Sequence, residues 1–163
     1  MRAAQAGSAS AIEQLYRAHW ARAYRAAYLV VHDAGGAEDI AQEAFLAAVR
    51  SLDRFDRRRP FGPWLHRIVV NRAIDWARAR SLRRETELVD AAAADGEPPQ
   101  QLRALVAALA ALPPEQRAVI VLRHLLEYTP GEIAELLELP RGTVNSRLRR
   151  GLDELAERIR EDS

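Results

Sequence analysis

Apolar positions return every three or four residues along most of this chain, the spacing of one face of a helix. Over residues 10–31, Ile12, Leu15, Tyr16, His19, Ala23, Ala26 and Val30 share a side. Residues 37–52 place Ile40, Ala41, Ala44, Phe45, Ala48 and Leu52 together. Trp64, Leu65, Ile68, Val69 and Ile74 give a third helix from residue 61 to about residue 80 or beyond. His32-Asp33-Ala34-Gly35-Gly36 is the expected stop after the first helix, and an Arg-dense loop, residues 53–60, separates the second from the third. Residues 1–9 are small and polar and predict a disordered tail. Residues 101–112 and 114–128 are helical again, split by Leu112-Pro113-Pro114-Glu115, a stop followed by a start with proline in the first turn. Ile68-Val69-Val70 and Val119-Ile120-Val121 sit inside helical patterns, so no run argues for a sheet. The expected fold is all-α: two small helical bundles, residues 10–84 and 101–160, joined by a flexible acidic linker over residues 85–100.

The last part of the pattern is the most specific. Thr129 with Glu132 three residues on is a capping box, and Pro130 stands where a first helical residue tolerates proline. Ile133, Ala134 and Leu137 form an apolar face, and Glu138 to Arg141 make a turn. A second helix then carries Val144, Leu148, Leu152, Leu155 and Ile159 as its core stripe, with Asn145, Ser146, Arg149 and Arg150 on another side. Asn and Arg are the side chains that pair bidentately with adenine and guanine in the major groove. A short capped helix, a tight turn and an Asn/Arg face read as a helix-turn-helix that enters duplex DNA.

Charge sharpens the picture. All 24 basic residues are Arg, and the net charge is only +1. From Arg50 to Arg84, however, eleven Arg stand against Asp53, Asp56 and Asp75, and residues 85–102 then hold five carboxylates and no base. So basic a block points to a polyanionic partner. Free in solution, the acidic linker is expected to lie over that block and compete with DNA. Phe55, Phe61, Trp64 and Trp76 are interleaved with the Arg residues, a mixture suited to opened nucleic acid, where an unstacked base can be held; core packing is the favoured reading for Trp64. Glu38, Asp39, Gln42 and Glu43 crowd the polar side of the second helix and call for a basic partner. The chain has no cysteine, which excludes disulfides, thiolate zinc sites and cysteine nucleophiles. His19, His32, His66 and His124 make no metal-ligand pair, so no metal, cofactor or catalytic residue is expected. Every apolar run is broken by Arg or Glu, which predicts no membrane span and a cytoplasmic location.

These motifs resemble, in order, the extracytoplasmic-function sigma factors of bacterial RNA polymerase, compact members of the sigma-70 family. Residues 37–45, from Ala37 through Asp39 and Gln42 to Phe45, look like region 2.2. Residues 61–75 look like regions 2.3 and 2.4, and residues 112–123 with 142–147 look like region 4. The resemblance implies roles. Glu38, Asp39, Gln42 and Glu43 would bind the clamp helices of the polymerase β′ subunit. Phe55 and Asn71 would hold a flipped base of the −10 element, with Arg57, Arg58 and Phe61 in the loop that sets its preference. Asn145, Ser146, Arg149 and Arg150 would read the −35 element, and Arg147 matches a phosphate or structural position. The implied partners are core polymerase (β′ clamp helices and β flap), promoter DNA and an anti-sigma factor, with the free protein a monomer. The competing reading, a stand-alone helix-turn-helix regulator, needs a dimerisation helix that the sequence does not supply.

Overall fold

The computed structural model describes residues 1–84 and 99–161, and over these the chain is helical, with no strand. In order come α1 (Arg2–Gln5), α2 (Ala9–Val31), α3 (Ala34–Arg50), a single 3-10 turn (Leu52–Arg54), α4 (Phe61–Arg84), α5 (Gln100–Ala111), α6 (Pro114–Ile120), a π turn (Val121–Leu125), α7 (Pro130–Leu137) and α8 (Arg141–Glu161). The expected linker falls almost wholly outside the described residues.

The N-terminal bundle is α2, α3 and α4. Its core is built largely from alanine: Ala23, Ala26, Ala27, Ala37, Ala41, Ala44, Ala48 and Ala73 are all buried, with Val30, Leu65, Val69 and Val70 between them. Side chains this small let the helix backbones approach closely. Closest is the start of α3, where a Cβ on Gly36 would lie 2.7 Å from Cζ2 of Trp76 on α4. This explains why residues 32–36 are not the five-residue break the sequence suggests. Only His32 and Asp33 interrupt the helices: His32 takes a left-handed conformation (φ 52°) as its N–H donates to Tyr28 O, and Asp33 Oδ1 accepts from Gly36 N at 2.6 Å. Both glycines belong to the first turn of α3. Asp33 is held from the other side by Arg80 at 2.6 Å, whose guanidinium also lies 5.0 Å over the Trp76 ring.

The N-terminus also departs from expectation. Residues 1–9 are not a loose tail. Ala4 is buried, and Gln5 Nε2 donates to Leu52 O and Phe55 O, both at 2.9 Å, so α1 is pinned beneath the 3-10 turn that opens the Arg-rich loop. Phe55 N also donates to Leu52 O, at 3.2 Å, so Gln5 adds a second donor to the carbonyl of this turn and one to that of the residue that ends it.

The C-terminal bundle is α5 to α8. Residues 114–128 are not one α-helix: at Val121 the pattern widens to a π turn, with Leu126 N donating to Val121 O, and Glu127 turns left-handed (φ 62°). On α8 the buried set is Val144, Leu148, Gly151 and Leu155, whereas Leu152 and Ile159, expected in the stripe, are 38% and 36% exposed. The seam follows Gly151 instead because a Cβ there would stand 2.8 Å from Ile120 Cδ1, so the missing side chain is what allows α8 to seat on α6.

The two bundles are packed on one another rather than held apart on a tether. α2 meets α5, α6 and the π turn; α4 meets α6 and α7; and the apolar core is one connected cluster. Arg117 on α6 is buried at this junction and donates to Val30 O at the end of α2, to Leu112 O at 2.8 Å and to Ala110 O at 3.0 Å.

The Gly36–Trp76 approach sets a test. Gly36→Ala gains helix propensity but drives a methyl into a rigid indole, and overpacking of this kind costs about 1–3 kcal/mol. Its melting temperature should fall, and combining it with Trp76→Leu should recover part of the loss. A Gly36→Ala chain as stable as the parent would contradict the close approach.

Candidate nucleic-acid interface

Three surfaces were expected, and each can be located. The helix-turn-helix forms as its residues dictate. Thr129 N donates to Glu132 Oε2 at 2.7 Å and Glu132 N to Thr129 Oγ1 at 3.3 Å, the reciprocal pair of a capping box. α7 closes with Glu138 left-handed (φ 54°) and Leu139 N donating to Ala134 O at 2.9 Å, which turns the chain sharply into α8. Val144 and Leu148 then face inward, and this rotation leaves Asn145, Arg149 and Arg150 exposed on the opening turns of α8. Ser146 and Arg147 are half-buried beside them. Arg147 stands toward α6, where its field helps lower the Glu115 carboxyl. Burial pushes that carboxyl up, but a backbone hydrogen bond and the Arg78 and Arg147 guanidiniums bring it below its ordinary value.

The second surface is acidic. Glu38, Asp39, Gln42 and Glu43 are all exposed on α3, opposite the buried Ala37, Ile40, Ala41 and Ala44. Gln42 Nε2 donates to Glu38 Oε1 at 3.2 Å, and Arg72 on α4 pairs with Glu43 at 3.1 Å.

The third surface requires correction. Phe55 was expected to help hold an extruded base and Phe61 to belong to the loop that sets the −10 preference, yet they are 8% and 6% exposed. The two rings pack edge to face, 5.9 Å between centroids, and Phe61 also meets Phe45 and His19. Their aromatic faces are spent on the core, because the 3-10 turn folds Phe55 inward over α4. Trp64, for which core packing was favoured, is the ring left half-open; it lies on Phe55 at 4.8 Å. Arg57 and Arg58 are exposed, the latter clasping Asp56 at 3.1 Å and holding that carboxyl below its usual range. Asn71 is exposed further along α4.

Trp64 opens into a cleft of about 690 Å³ between the bundles. Arg54, Arg59 and Arg67 stand on one wall; Tyr128, Glu132 and Glu135 stand on the other. Arg67 pairs with Glu138 at 2.5 Å, and His66 Nδ1 shares a 2.7 Å hydrogen bond with the Tyr128 hydroxyl. No local pattern of residues signals these cross-bundle pairs. One further feature was open to view: Tyr16, Trp20, Tyr24, Tyr28 and His32 recur at four-residue spacing and stack along α2, with centroids 4.9–6.4 Å apart. Among the described residues no cluster of side chains could hold a metal ion, and no helix is long and apolar enough to cross a membrane.

Burial holds His66 and His32 neutral. Each is lowered from 6.5 to about 4, first by desolvation, then by Arg22 and His19 for His66 and by Arg117 for His32. Burial likewise pushes Tyr128 up to about 12. As pH falls from 6.5 toward 4, the unfolded chain takes up protons that the folded one refuses, so the contribution present above pH 6.5 is lost across that window. At about 1.4 kcal/mol per unit, each histidine removes up to roughly 3 kcal/mol by pH 4. Thermal denaturation between pH 7.5 and 4.5 should show this decline, shallower in His66→Phe; a melting temperature flat over the range would rule it out.

Comparison with known proteins agrees with this arrangement. Residues 15–83 match the family described as Sigma-70 region 2, and residues 102–155 match Sigma-70, region 4. The chain is 33% identical over 159 residues to the ECF RNA polymerase sigma factor SigW of Bacillus subtilis, covering 85% of this chain and 83% of that protein. It is similar to the structure of CnrH in complex with the cytosolic domain of CnrY (TM-score 0.75, 30% identity, 98% of this chain and 94% of that one). The fold is also that of the sigma factor RpoE solved with the anti-sigma factor NepR from Bartonella quintana (TM-score 0.77, 22% identity, 93% of this chain and 98% of that one). With both regions present in order, and with a relative this similar along most of its length, the chain belongs to the extracytoplasmic-function group of the sigma-70 family and is an RNA polymerase sigma factor.

Proposed function

We propose how this sigma factor divides promoter recognition among its surfaces. The observation that carries the reading is the placement of Asn145, Arg149 and Arg150 on the exposed opening turns of α8, directly after a capped α7. In a helix-turn-helix these turns enter the major groove, where Asn and Arg reach base edges. They read the −35 element as duplex, while Arg147 and Ser146, closer to the bundle, contact the phosphate backbone. The Arg-rich loop with Arg57 and Arg58, together with Asn71 on α4, engages the −10 element as single strand. Phe55 and Phe61 support that surface from beneath.

The acidic side of α3, with Glu38, Asp39, Gln42 and Glu43, docks on the β′ clamp helices of core polymerase, and the C-terminal bundle meets the β flap. The chain supplies no catalytic group to transcription; it positions the polymerase, which does the chemistry. It acts as a monomer in the bacterial cytoplasm, and by analogy with the solved relatives an anti-sigma factor restrains it.

Two experiments divide these roles. On a −35 duplex, Arg149→Ala should cost about 1–3 kcal/mol and relax base preference at its position. Arg147→Ala should weaken all sequences alike and reduce the salt slope by about 1. A loss for Arg149→Ala that is uniform across −35 variants would count against base reading. Separately, the double variant Asp39→Arg with Glu43→Arg should lose core-polymerase binding while keeping its helical circular dichroism and its −35 affinity; normal core binding would place the polymerase interface elsewhere.

A further inference from the structure

The cleft that holds Trp64 has the size of a small-molecule site. Such sites run from about 300 to 1,000 Å³, and this one is about 690 Å³. Phe55 and Phe61, both buried, brace the Trp64 ring at 4.8 and 5.8 Å between centroids, and the rest of the indole is open. The walls on either side differ in sign. Arg54, Arg59 and Arg67 line one, and Glu132 and Glu135 line the other. Arg67 is shared with Glu138. Arg54 and Arg59 are exposed, and among the described residues neither closes an ion pair, although the field of Arg59 reaches Asp56. Glu132 spends one carboxylate oxygen, Oε2, on Thr129 N.

Each of these groups selects a different part of a ligand. An open indole stacks on a nucleobase, whichever base it is. Guanidiniums meet phosphate oxygens bidentately. Carboxylates accept only, and so look for donors such as exocyclic amines and ribose hydroxyls. Together they call for a molecule with its negative charge at one end and its donors at the other. A nucleic-acid strand is not charged in that way: a phosphate stands on both sides of every internal nucleoside, and one of them would run along Glu132 and Glu135. A free nucleotide keeps all its phosphates on one side. A monophosphate carries only about 1.5–2 negative charges at neutral pH, so three guanidiniums match a di- or triphosphate better.

We propose that this cleft is a binding site for a free nucleoside di- or triphosphate. The base lies on Trp64, the phosphates meet Arg54, Arg59 and Arg67, and the donors of the base edge or ribose turn toward Glu132 and Glu135. The site goes beyond the division of roles given above and does not depend on it: Asn71 and Arg58, Asp39 and Glu43, and Asn145 and Arg149 take no part in it.

Calorimetric titration of the full chain with ATP and GTP tests the site, with adenosine and inorganic triphosphate as the two halves of the ligand. The nucleotides should bind at least ten-fold more tightly than either half, and the melting temperature should rise with nucleotide concentration. Arg54→Gln with Arg59→Gln should lower nucleotide affinity at least ten-fold. Arg17→Gln with Arg25→Gln, exposed on α2 and outside the cleft, removes the same charge and should leave that affinity unchanged. Trp64→Leu should weaken ATP but not inorganic triphosphate. The four arginines are exposed, so both pairs remain informative even where Trp64→Leu loses stability. A short single-stranded oligonucleotide should fail to displace ATP at equal phosphate concentration. Four results would each overturn the proposal: no nucleotide binding, inorganic triphosphate binding as tightly as ATP, equal losses in the two arginine pairs, or displacement by the strand, which would assign the cleft to DNA.

Discussion

A guanidinium in the core joins the two halves of this molecule. Among the described residues Arg117 and His66 are the buried polar groups, and Arg117 carries its charge permanently. Burying a cation is costly unless its donors are met. Here carbonyls at two helix ends meet them: Val30 O where α2 finishes, and Ala110 O and Leu112 O where α5 does. Helix C-termini present unsatisfied oxygens and a partial negative charge, so each side supplies what the other lacks. α2 belongs to the N-terminal bundle, and α5 and α6 belong to the C-terminal one. Packing across the junction follows from this charge being seated.

Much of the fold was legible in the sequence because its helices are amphipathic and their ends are written in specific residues. The capping box at Thr129 and Glu132, proline at the start of α6, and the exposed Asn145 and Arg149 all required only local rules. The misreadings have physical causes that are not local. Gly35 and Gly36 look like a break, yet they are helical because Trp76, forty residues away in sequence, needs the room. Leu152 looks like core, yet Gly151 takes the seam because Ile120 lies against it. The N-terminal residues look too polar to order, but Gln5 finds two backbone carbonyls at the 3-10 turn. Packing of the two bundles on each other was invisible for the same reason: no periodicity announces that Tyr128 will meet His66.

The aromatic residues show how one composition serves two ends. Phe45, Phe55 and Phe61 together fix the Arg-rich loop on α4, and Trp64 closes the group with part of its ring toward the cleft. An interleaving of aromatic and basic residues reads in sequence as a stacking platform. Folded, most of it is foundation, and the guanidiniums are carried above on a rigid base. Rigidity of that kind limits the entropy lost when a flexible strand is captured.

Gly151 also governs how far a small disturbance travels. α8 spans Arg141–Glu161 and, at 1.5 Å per residue, is about 30 Å long. Near its midpoint Gly151 leaves room for Ile120 and makes a fulcrum, with the exposed Asn145 less than two turns away. A few degrees of rotation at this fulcrum displaces Asn145 sideways on a scale comparable to a hydrogen bond's tolerance. Under the reading of α8 proposed above, recognition of bases is tuned from inside the bundle, and substitutions around Ile120 that never approach DNA would shift which sequence it fits.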